Sequence, residues 1–123
     1  MALFDKTEAQ SLLYNYPAAA LYQAMCAAAQ QTKGFQLILA NPQMWTIQIS
    51  KSMSAFTWGE DLFVQLFPVS ETQTNLQIMC KSKLGTEIAA RSKNRKNIEV
   101  LLNAMQQILN QMYGTMPQPP YMG

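Results

Sequence analysis

Acid–base chemistry in this chain would have to run without histidine, because none of its 123 residues is one. With histidine go the usual base at neutral pH and the commonest metal ligand, which leaves carboxylates, Lys, Tyr and Cys. The most suggestive carboxylate is Glu60, which with Asp61 follows Trp58-Gly59. An indole beside a carboxyl group excludes water and raises its pKa, a known device for acid catalysis. The plainer reading of the same residues is preferred: Gly59 permits a bulge or sharp bend, Trp58 covers the edge of the core, and Glu60 caps or solvates the turn. No Gly-rich phosphate loop, GxSxG elbow, HExxH or CxxC is present, so no enzyme, cofactor or metal site is expected.

The second group able to do chemistry is basic. Lys81, Lys83, Arg91, Lys93, Arg95 and Lys96 make six of the nine basic residues, and Glu87 is the one acid among them. They straddle a strand end and the start of a long helical pattern, where backbone N–H groups can receive an anion. Cations at a helix N-terminus oppose the macrodipole, which points to solvated charge or an acidic partner. Ser92 or Asn94 is placed to cap that helix instead. No aromatic platform interleaves with the run and the net charge is only +2, so nucleic acid is not expected as a partner. The two cysteines, Cys26 and Cys80, sit inside apolar patterns and read as buried free thiols.

These groups must be carried by a small layered domain. An apolar fraction of 49% with 13% charge is far from the composition of disordered chains, and a surface so poor in charge tends to self-associate. Residues 10–16 alternate weakly as a short strand that ends at Pro17. An alanine-rich helix follows over 18–32, with proline at its first position and Gly34 closing it. Period-two patterning predicts strands over 35–40, 44–51, 61–68 and 74–82. The links Asn41-Pro42-Gln43 and Val69-Ser70-Glu71-Thr72-Gln73 are too short for parallel crossovers, which makes the strands an antiparallel meander. Apolar residues from Ile98 to Met112 recur at three and four, predicting a long helix over 93–113 with Gly114 just beyond.

The order β-α-β-β-β-β-α implies an α+β domain over 1–114, a five-stranded antiparallel sheet with both helices on one face. Residues 115–123, with prolines at 117, 119 and 120, read as a disordered tail. Phe35, Leu37, Leu39, Trp45, Ile47, Ile49, Leu62, Val64, Leu66, Leu76, Ile78 and Cys80 are expected beneath the helices. The opposite positions are polar, with an apolar streak of Ile38, Phe63, Phe67 and Met79. Scattered surface apolars, two sheets meeting face to face, and a site for an apolar ligand all remain open for that streak.

The segments Ser54-Ala55-Phe56-Thr57-Trp58-Gly59-Glu60 and Lys93-Asn94-Arg95-Lys96-Asn97-Ile98 resemble a pattern in small uncharacterised bacterial domains, over roughly residues 10–110. The element order is similar to the TATA-binding-protein-like fold and, more loosely, to helix-grip ligand-binding domains. That likeness speaks to fold, and the sheet lacks the basic, phenylalanine-wedged surface that minor-groove binding would need. The expected function is a non-catalytic module that self-associates as a homodimer or docks through its bare sheet face, with Ile38, Phe63, Phe67 and Met79 in contact. The alternative is a carrier of a small hydrophobic molecule between the sheet and the C-terminal helix. No stretch approaches the roughly eighteen apolar residues of a membrane span, and the opening residues lack a signal-peptide pattern, so a cytoplasmic setting is expected.

Overall fold

The computed structural model describes residues 7–52, 59–82 and 90–114. The elements are β1 (Thr7–Tyr14), α1 (Ala18–Gln31), β2 (Phe35–Asn41), β3 (Thr46–Lys51), β4 (Glu60–Pro68), β5 (Thr74–Ser82) and α2 (Ala90–Tyr113). The five strands form one antiparallel sheet in the order β1-β5-β4-β3-β2, so β1 closes back beside β5 while β2 forms the other edge. Both helices cover one face: α1 lies over β2, α2 over β5 and β1, and the two helices touch each other. The expected order and architecture hold. The tail, and the stretch Phe56-Thr57-Trp58, lie outside the described residues.

The core follows from strand parity. Ile47 and Ile49, Leu62, Val64 and Leu66, and Leu76, Ile78 and Cys80 are buried on the helix side, against Ile98, Leu101, Leu102, Met105 and Leu109 of α2. Alanines at 20, 24, 28 and 29 give α1 a face without bulk, which lets it sit close to its neighbours. Pro17 stands one residue earlier than expected, as the N-cap, where its carbonyl accepts the N–H groups of Ala20 and Leu21 at 3.1 and 3.2 Å. At the far end, the rings of Tyr16 and Tyr113 lie 5.6 Å apart and tie the last turn of α2 to the β1–α1 connection.

Several expectations need correction. The first strand starts at Thr7, because pairing with β5 carries it beyond the region where its own alternation is legible. The third strand starts at Thr46, since residues 42–45 form the turn. There the Asn41 side-chain oxygen accepts the N–H groups of Gln43 and Met44 at 3.1 and 3.2 Å. Trp45 takes a left-handed backbone, φ 58°, which is strained for an indole-bearing residue. Its carbonyl accepts Leu66 N–H at 2.9 Å and its ring meets Tyr22 edge-on at 5.8 Å, contacts that hold this backbone in place.

Leu39 is not in the core. Leu37 pairs with Ile49 and Leu39 with Gln48, so Ile38 is an extra residue in a β-bulge and every side chain after it changes face. Ala40 pairs with Ile47 on the helix side, exposed on this edge strand, and Leu39 is 60% exposed on the other face. Finally, α2 begins at Ala90, three residues early, which puts positions 92 and 94 inside the helix and not at its start. Asn94 is inside the helix and buried, and Met112, expected on its apolar face, is exposed.

Candidate functional site

The helix-free face of the sheet is organised in rows running across the strands. Register places Leu39, Gln48, Phe63, Met79 and Ala9 side by side across β2, β3, β4, β5 and β1. Two residues further along each strand runs a second row of Asn41, Thr46, Gln65, Gln77 and Ser11. A mainly apolar stripe, interrupted by Gln48, therefore lies next to an amide and hydroxyl stripe. Between them the sheet bends into a groove of about 550 Å³, lined by members of both rows from Leu39 to Ala9 and from Thr46 to Ser11. Among the described residues no ionisable side chain lines it.

The groove's apolar floor is the cross-strand pair Phe63 and Met79, which are 39% and 41% exposed. Gln65 is fixed by its own nitrogen, which donates to the carbonyl oxygens of Met44 at 3.0 Å and Leu66 at 3.2 Å. The side-chain amides of Gln48 and Gln77 have no hydrogen-bond partner among the described residues. Such a face can hold an uncharged apolar body and offer amide groups to its edge. Among the described residues lining it, the hydroxyls of Ser11 and Thr46 have no ionisable base beside them.

Of the four residues singled out from the sequence, Phe63 and Met79 meet in the groove. Phe67 lies on the same face opposite Asn75, and Ile38 is in the edge-strand bulge; both are exposed and neither lines the groove. Leu39, Ala9 and the glutamine row were missed. Glutamine was visible on the strands, but which glutamines become neighbours depends on register, and no local signal marks the bulge that turns Leu39 outward.

The basic residues divide between the two sides of the sheet. Lys81 is on the open face, opposite Asp61 and Thr7. Arg95 is on α2, with its guanidinium 3.4 Å from the Glu8 carboxylate, and Lys96 is exposed on the same helix. Arg91 and Lys93 stand in the first turn of α2, and Lys83 lies outside the described residues.

The described end of the first motif segment, Gly59-Glu60, meets the second on the helix side, at the end of the sheet where β4 begins. Gly59, φ 96°, provides a backbone turn that an L side chain would resist, and it leads into Glu60, only 3% exposed. Glu60 neither caps nor solvates a turn: its carboxylate accepts the Asn97 amide at 3.0 Å. Cys80 donates its thiol to the Asn94 side-chain oxygen at 3.3 Å, and Ile98 is fully buried beside them. Burial pushes the Cys80 thiol up to about 12, helped by the negative charges of Glu60 and Asp61, while Asn97 and Lys51 pull weakly the other way. This thiol is protonated and shielded, the opposite of an activated nucleophile. Cys26 is half-buried and its thiol is also raised, mainly by burial; neither cysteine forms a disulfide. The cluster thus fastens the start of α2 to the sheet.

Comparison of the sequence with protein-family models and with curated proteins gives no match. Solved structures do share the fold. A START superfamily protein from Mycobacterium smegmatis is 12% identical, with a TM-score of 0.65 over 86% of this chain and 98% of that one. Norcoclaurine synthase from Thalictrum flavum, solved in complex with dopamine and hydroxybenzaldehyde, is 6% identical, with a TM-score of 0.64 over 91% of this chain and 88% of that one. Protein MLL2253 from Mesorhizobium loti is 12% identical, with a TM-score of 0.62 over 85% and 97%. At these identities the likeness is one of fold, and the fold is the helix-grip arrangement of α-structure laid across an antiparallel sheet. Among the described residues no helix is long and apolar enough to cross a membrane.

Proposed function

We infer that this chain is a non-catalytic binding protein for a small, uncharged, mainly apolar molecule held on the open face of the sheet. The observation that carries this reading is the groove of about 550 Å³ over Phe63 and Met79, lined among the described residues by no ionisable side chain. Sites for drug-sized molecules run from about 300 to 1,000 Å³ and are predominantly apolar with a few placed polar groups. The fold comparison lends support, since norcoclaurine synthase was solved with two small aromatic molecules bound. Its activity is not carried over, because at 6% identity the likeness is one of fold alone.

From the sequence, a carrier's ligand would sit between the sheet and α2. There Leu62, Ile78, Leu101 and Met105 leave almost no exposed surface, and a ligand could enter only by displacing packed side chains. The open face needs no such rearrangement. A second reading, contact with another copy of the chain, is favoured by Leu13 and Phe67, which are exposed on the same face outside the groove.

Fluorescence titration with N-phenyl-1-naphthylamine, a neutral apolar probe, tests the first reading. The expected result is saturable binding that Phe63→Glu weakens at least about ten-fold, because a carboxylate then enters an uncharged groove. Far-UV circular dichroism and elution volume should stay unchanged. Absence of saturable binding refutes the carrier reading, and a dimer that Phe63→Glu converts to a monomer supports the second.

A further inference from the structure

Resting on the open-face reading, we propose that the ligand is a flat, neutral molecule with one hydrogen-bonding edge, of the amide or lactam kind, rather than a hydrocarbon or a charged amphiphile. Its flat face lies on Leu39, Phe63 and Met79, and its edge is read by Gln65 and Gln77 of the second row, with Gln48 flanking it between Leu39 and Phe63.

The geometry that supports this is the adjacency of the two rows. Side chains two residues apart on a strand stand about 7 Å apart on the same face. A fused two-ring system can therefore cover the apolar row while its rim reaches the amide row. The three glutamines are not equivalent: Gln65 and Gln77 stand in the amide row, whereas Gln48 stands between Leu39 and Phe63 in the first row. Gln65 has committed its nitrogen to two backbone carbonyls, which leaves its side-chain oxygen as a fixed acceptor for an N–H on the ligand. The side-chain amides of Gln48 and Gln77 have no partner among the described residues, and a primary amide can turn to present either its oxygen or its nitrogen. A ligand edge with one donor and one acceptor satisfies both kinds of partner.

The same groups discriminate against the alternatives. A pure hydrocarbon would strip water from Gln48 and Gln77 and return nothing, which penalises binding. A charged ligand would meet no opposite charge among the described residues lining the groove. Asp61 and Lys81, the ionisable residues of this face nearest to Phe63 and Met79 along their strands, face each other across β4 and β5, beyond the apolar row and away from the amides.

Calorimetric titration of the full chain with three probes on one ring system tests the proposal: 2-naphthamide, 2-ethylnaphthalene and 2-naphthoate. The amide is expected to bind about ten-fold tighter than the ethyl compound, as one to two net hydrogen bonds would give, with the carboxylate weakest. Gln48→Met with Gln77→Met, which keeps side-chain length and removes two of the three amides, should cut the preference to about two-fold, the share the Gln65 oxygen keeps, while 2-ethylnaphthalene holds its affinity within about three-fold. Gln77→Met alone, at an exposed position, should remove about half of the preference on a logarithmic scale and protects the test against a folding defect in the double variant. Equal or tighter binding of 2-ethylnaphthalene by the unaltered chain overturns the amide-edge proposal and leaves the apolar reading standing. A preference untouched by Gln77→Met overturns the role of the glutamine row. If none of the three binds, both readings fall.

Discussion

Asn97→Ala would take from Glu60 an amide donor at 3.0 Å in a place where only 3% of the glutamate reaches solvent. Water cannot simply replace the donor there. A hydrogen bond to a charged group contributes about 1.5–3 kcal/mol, and stranding a buried acceptor carries a penalty of similar size, so the expected loss is about 2 kcal/mol. That is roughly a thirty-fold change in the ratio of folded to unfolded chain, and for a domain of this size a fall of roughly 8 °C in Tm. The assay is urea unfolding followed by circular dichroism, run as a double-mutant cycle with Glu60→Gln and the double variant. The two single losses should fail to add by about 1 kcal/mol or more, because either substitution breaks the same contact. If Asn97→Ala changes stability by less than about 0.5 kcal/mol, or if the losses add, the contact does not fasten α2 to the sheet and the account of the two motif segments is wrong.

The bulge at Ile38 predicts opposite outcomes at neighbouring leucines: Leu39→Gln should stay within about 0.5 kcal/mol of the parent in urea unfolding, whereas Leu37→Gln, facing the core, should lose about 2 kcal/mol or more. For Cys80 the folded thiol is held up near 12, above its usual value of 9.0, so the unfolded chain releases this proton first. Its contribution to stability is full below pH 9 and falls as pH rises toward 12, by on the order of 1 kcal/mol per unit. Urea midpoints between pH 8 and 11 should decline less steeply in Cys80→Ala than in the parent, and equal slopes would contradict the burial argument.

Much of this protein is written locally. Alternation along 61–68 and 74–82 separates Leu62, Val64, Leu66, Leu76, Ile78 and Cys80 from Phe63, Phe67 and Met79 without reference to any neighbour. The structure keeps both groups on the faces that parity assigns. The three-and-four spacing from Ile98 to Leu109 likewise names the buried side of α2, because helical geometry repeats within a single turn. Short links between strands exclude parallel crossovers, so the meander was legible as well. The sequence by itself therefore determined the element order, the layer arrangement and half of the candidate groove.

Tertiary structure alone decided what lies opposite what. Periodicity sorts side chains into two faces, but it contains no information about register, which is set by pairing between strands distant in the chain. That is why Gln65 and Gln77 become neighbours, why one extra residue at Ile38 turns Leu39 toward the groove, and why Asn97 reaches Glu60 thirty-seven positions away. Such contacts form only once the sheet is assembled and α2 is packed on it, since each joins groups that no local rule brings together.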